Sequence, residues 1–128
     1  MGLIVALFML MMGMAMATIW TLDLRAGRGY EAPSGLLRAR EVETGSLIAW
    51  HWLAEYAIAA TLVLSAILVA AGAAVGVPIA LIGLGALAYS SCNSLAWAMA
   101  RSERRAYAIP MLVGLVGAAI SIVALLVA

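Results

Sequence analysis

Four long apolar stretches, separated by short charged or glycine-rich ones, account for nearly the whole chain. They cover residues 2–22, 47–71, 77–100 and 107–128, and each has about the 20 residues that a helix needs to cross a hydrocarbon core. Charged side chains bound them at Asp23, at Glu43 and from Arg101 to Arg105. In lipid every backbone N–H and C=O must find its partner within the protein, so these stretches are predicted as helices. The alternating polarity of a membrane β-barrel strand is absent. The pattern predicts an all-α integral membrane protein, a single domain built as a four-transmembrane-helix bundle. Packed spans usually form left-handed bundles, and that hand is expected here.

The connections differ in kind. Residues 23–46 form the long polar segment, where the run R-A-G-R-G-Y-E-A-P-S-G is rich in turn formers. Ser34 is a candidate cap for a short helix over 35–43. Leu36, Leu37, Arg38 and Arg40 on that helix mix charge with apolar surface, which suits either the headgroup layer or an extension of the second span. Between Gly72 and Gly76 the chain is uncharged and Pro78 follows closely, so a tight hairpin is predicted. Residues 101–106 make a second short loop, and Pro110 falls in the first turn of the last helix, where it costs little. No basic residue precedes the first stretch, so it is expected as a retained span and not as a cleaved signal.

Charge sets the expected orientation. All seven basic residues are Arg. Arg25, Arg28, Arg38, Arg40, Arg101, Arg104 and Arg105 all fall in the first and third connections, while the middle connection and the termini have none. The positive-inside rule then puts both Arg loops in the cytoplasm and both termini outside a cell membrane. Trp20, Trp50, Trp52, Trp97 and Tyr107 gather near the same boundaries, as amphipathic rings do at an interface. Composition agrees, with 67% hydrophobic and 10% charged residues against about 25% charged in a soluble domain. A net charge of +1 gives no pull on nucleic acid. The single Cys92 excludes an intramolecular disulfide.

Against this background Glu55 stands out. Counted from Leu47 at 1.5 Å per residue, it lies roughly 12 Å inside the second span, where an ionisable residue is expensive and commonly functional. His51 precedes it by one turn and shares its helix face. Tyr89, Ser90, Asn93 and Trp97 form a polar stripe on the third span. If the second and third spans make a hairpin, Glu55 and Asn93 are expected to meet, with His51 near Trp97. One reading of this cluster is a site for a small ion or polar solute, which makes the chain a transporter or channel-type protein. The bland reading is that the acid merely ties its helix to Asn93 or Ser90.

Two further patterns carry weaker expectations. Met9, Met12 and Met16 share one face of the first span, and thioethers are soft ligands for Cu(I). The Met12–Met16 spacing also occurs in a span of eukaryotic-type copper transporters, a likeness of five residues. Methionine is equally an adaptable core filler. In the fourth span Gly114, Gly117, Ala118 and Ser121 line one side, a spacing that lets helices approach closely. Such a face serves packing within the chain, a homo-oligomer, or attachment as an accessory subunit to a larger membrane complex. His51 is the lone histidine, which leaves bis-histidine haem ligation without a second ligand. No nucleotide or hydrolase motif appears, so no cofactor is expected and a membrane enzyme ranks behind the other readings.

Overall fold

The computed structural model describes the chain over residues 2–25, 44–100 and 102–127. Four helices are found among these residues: α1 over Gly2–Arg25, α2 over Thr44–Ala70, α3 over Gly76–Met99 and α4 over Ala108–Leu126. A six-residue 3₁₀ segment, Ser102–Tyr107, joins the last two. Each α-helix is long and apolar enough to cross a membrane, with apolar stretches at Gly2–Leu22, Trp50–Ala70, Gly76–Ala96 and Arg105–Leu126. The expected helix over 35–43, with its Ser34 cap, lies outside the described residues.

α2 is the longest helix, with 27 residues. Glu55 lies inside its apolar stretch. The α2–α3 connection is a tight turn, as the uncharged Gly72-to-Gly76 stretch predicts. Ala73 donates its N–H to the Leu68 carbonyl (2.9 Å) and Gly72 to that of Val69 (3.1 Å), a pair of bonds that closes the helix end as a Schellman motif. Gly72 has φ 69°, the left-handed conformation that a Cβ opposes. A Cβ there would touch nothing within 4 Å, so the strain of Gly72→Ala is purely backbone. The substitution is expected to lower stability by about 1 kcal/mol, measured as a shift in the thermal midpoint in detergent.

Leucine, methionine and alanine side chains fill the space between the helices. α1 packs chiefly on α2, α2 on α3 and α3 on α4, with a shorter strip of contact between α1 and α4. The core joins Val5, Ala6 and Met9 of α1 to Leu62 and Ala66 of α2, Leu84 and Leu87 of α3, and Ala118 of α4. The outside is aliphatic: Ile4, Leu7, Ile67, Val113, Val116 and Ile120 are all exposed. A water-soluble protein rarely shows such continuous apolar surface.

The small-residue face of α4 is turned inward. Gly114, Ala118 and Ser121 are buried. A Cβ on Gly114 would meet Ser91 Oγ of α3 at 2.5 Å, and one on Gly117 would meet the Phe8 ring of α1 at 2.4 Å. Of the three roles open to this face, packing within the chain is the one it fills.

Candidate functional site: a buried carboxyl between three helices

Glu55 is 5% exposed, and its two oxygens are held by side chains from two other helices. The Trp20 indole of α1 donates its Nε1–H to Oε2 at 3.1 Å. The Ser90 hydroxyl of α3 donates to Oε1. Buried polar groups in native proteins are hydrogen-bonded, and no buried side-chain polar atom among the described residues lacks a partner. Three helices therefore converge on one acid.

Hairpin register explains why Ser90, and not Asn93, is the partner on α3. A Cβ on Gly76 would abut Val69, and one on Gly83 would abut Leu62. Each step of seven residues up α3 is thus matched by seven down α2, and the next step brings Ser90 to Glu55. Asn93 lies three residues further on, at the level of Trp52, and turned some 60° away around the helix. It is exposed. The expected meeting of Glu55 with Asn93 is therefore not made. Tyr89, at 72% exposure, also faces outward. Of the described side chains of the polar stripe expected on α3, Ser90 is the one that reaches the acid.

His51 is exposed, and its ring meets Trp20 edge-on, with centroids 5.1 Å apart and planes at 82°. It shares a helix face with Glu55, as its spacing predicts, but its neighbour is Trp20 of α1; the Trp97 side chain lies outside the described residues. Trp20 thus touches both titratable groups. From sequence it reads as an interfacial aromatic, five residues before Arg25.

One residue along each helix, a second polar pair joins α1 and α2. Thr21 gives its single hydroxyl proton to the Ala17 carbonyl at 2.6 Å, so in its 2.8 Å contact with Tyr56 the phenol must be the donor. Tyr56→Phe removes that bond and leaves the Thr21 hydroxyl satisfied. The expected loss is about 0.6 kcal/mol, read from detergent unfolding curves; a loss above about 2 kcal/mol would show the pair to be more than a simple tie.

No other described group offers a comparable centre. Met9 is fully enclosed, and Met12 and Met16 pack half-buried against the same core, so the shared Met face predicted for α1 exists and fills space. No cluster of three His, Cys, Asp or Glu suited to a metal occurs among the described residues. A shallow 140 Å³ groove between α1 and α2 is lined by Leu3, Ala6, Leu10, Ala66 and Ala70. A second, of 280 Å³, follows α1 past Thr18, Thr21 and Arg25. Glu55 lines neither.

No protein-family model, curated protein or solved structure matches this chain. Function therefore has to be argued from the site alone.

The arrangement suits either charge state of the acid. An indole N–H only donates, so Oε2 is an acceptor throughout. A hydroxyl both donates and accepts and turns freely about its C–O bond. Ser90 can therefore give a hydrogen bond to a carboxylate or take one from a carboxylic acid with no heavy atom displaced.

Proposed function

We propose that this chain is a four-span integral membrane protein of transporter or channel type, with both Arg loops in the cytoplasm and the termini outside. It passes a proton or other small cation by way of Glu55. The observation that carries this reading is the carboxyl itself: buried, joined to α1 by a fixed donor and to α3 by a reversible one. An acid at such a junction can load and unload a positive charge, and each change of state alters the bonds between the three helices that meet there. Being sealed on all sides, it corresponds to a closed form, and exchange with water requires Trp20 or Ser90 to let go.

The aliphatic exterior, the four apolar helices and the one-sided Arg distribution support the membrane placement. In that setting an intramembrane acid is a functional site by default.

The same sealing favours a second reading, in which the Trp20–Glu55–Ser90 group is only a clasp that fixes the helices of a non-catalytic accessory subunit. The inward turn of the α4 glycine face leaves that reading without its expected docking surface. Proton flux separates the two. Purified protein in pyranine-loaded vesicles, with the potential set by potassium and valinomycin, is expected to pass protons; flux equal to that of protein-free vesicles, for protons and for sodium or potassium gradients alike, would reject the transport reading.

A further inference from the structure

The outer face of α3 differs from that of α4, its neighbour. Residues exposed on α4 are almost all large aliphatics, among them Leu112, Val116, Ile120 and Val123. Along α3 the exposed positions one turn apart are Ile82, Gly85, Tyr89, Cys92 with Asn93, and Ala96. Neither the Tyr89 hydroxyl nor the Asn93 amide has a hydrogen bond among the described residues. Both lie within the apolar stretch Gly76–Ala96. An amide turned to acyl chains with no partner costs several kcal/mol. A Cβ on Gly85 would meet nothing within 4 Å, so no neighbour inside the chain requires a glycine there.

We infer that this strip is where a second copy of the same chain docks, α3 against α3, with the two Asn93 amides bonded to each other across a two-fold axis normal to the membrane. The occupant follows from chemistry and symmetry. A carboxamide carries both donors and an acceptor, so it is its own complement. Two copies inserted in the same orientation bring Asn93 to Asn93 at one depth, and the interface is isologous. The gap over Gly85 and the small Cys92 and Ala96 let the two helices approach closely, as helices in lipid must if packing and polar bonds are to hold them. Glu55 and its partners lie away from this strip, so each protomer keeps its own site. The inference rests on the membrane placement above and is independent of the transport role.

The experiment counts photobleaching steps of singly labelled, purified protein in extruded phosphatidylcholine–phosphatidylglycerol vesicles over a range of protein-to-lipid ratios. Two steps are expected to dominate at high ratio. Asn93→Leu is expected to weaken association about tenfold, the loss of two interhelical side-chain bonds, with an unchanged melting point at dilutions where both proteins are monomeric, because position 93 is exposed in the single chain. Ile120→Leu on the outer face of α4 should leave association as it is. A parent protein that is monomeric at every ratio, a dimer indifferent to Asn93→Leu, or a different protein held at Asn93 in native membranes would each overturn the second-copy assignment. Flotation of the same vesicles reads membrane placement separately: protein that fails to float removes the premise, whereas floating monomers reject the strip alone.

Discussion

Glu55→Gln is expected to reduce ion flux in proteoliposomes to the level of protein-free vesicles while leaving the fold in place. The reasoning is atomic. Glutamine has the same shape and length, and its carbonyl can still accept the Trp20 N–H. Its amide can still donate to the Ser90 hydroxyl. What is lost is the capacity to bind and release a proton or to hold a cation by charge. Glu55→Leu loses the hydrogen bonds too, leaving the part-buried indole N–H of Trp20 without this acceptor, at a cost of about 1 kcal/mol. The two variants therefore part the readings. A transport site predicts an inactive but stable Gln variant. A clasp predicts that Gln behaves as the parent does in every assay and that Leu melts early. Flux retained at the parental rate in Glu55→Gln would remove Glu55 from the mechanism.

A large loss of stability is expected at Gly13. A Cβ at this position of α1 would lie 2.8 Å from the Ala59 carbonyl oxygen and 2.9 Å from Val63 Cγ2 of α2. The first of these neighbours is backbone, which cannot swing aside as a side-chain end can, so the helices must part. Gly13→Ala is expected to cost about 1–3 kcal/mol, the usual range for overpacking a tight interior, less the modest gain in helix propensity that alanine brings. Gly13→Leu should be worse. It separates α1 from α2 along the seam that also carries Trp20–Glu55 and Thr21–Tyr56, so flux and stability should fall together. Thermal midpoints in detergent for the Gly, Ala and Leu series check this; an unchanged midpoint for Gly13→Leu would mean that the close approach at Ala59 is not part of the folded state. Gly117 offers an instructive contrast. Its obstacle is the Phe8 ring, a side chain that can rotate, so the penalty there should be smaller for the same added atom.

Much of the candidate site could be read without coordinates, and the errors have one origin. Glu55 was legible because a charge in an apolar run is conspicuous whatever surrounds it. Ser90 belonged to the polar stripe, but Asn93 looked the better partner because it stands eight residues before Arg101, the same count as Glu55 from Leu47. Choosing between them required the hairpin register, which the turn at Gly72 sets to the residue, and three residues of error rotate a side chain most of the way out of an interface. Trp20 was assigned to the boundary by residue type alone. Its pairing with Glu55 depends on how α1 lies against α2, and the 23–46 segment is too long and polar to fix that. Gly13 passed unnoticed because a lone glycine among methionines carries no pattern.

The sequence by itself determined four apolar helices, the tight turn between the second and third, and the isolation of one acid among them. These follow from local composition: hydrophobicity summed over 20 residues, a short uncharged stretch between glycines with a proline after it, a charge with no charged neighbour. Only the tertiary structure decided which faces meet. Helices in an apolar medium have no hydrophobic effect to press a particular side inward, so their packing is chosen by shape, by small residues and by a few hydrogen bonds. Those terms depend on atoms from two helices at once, and no stretch of one helix holds both halves of the contact.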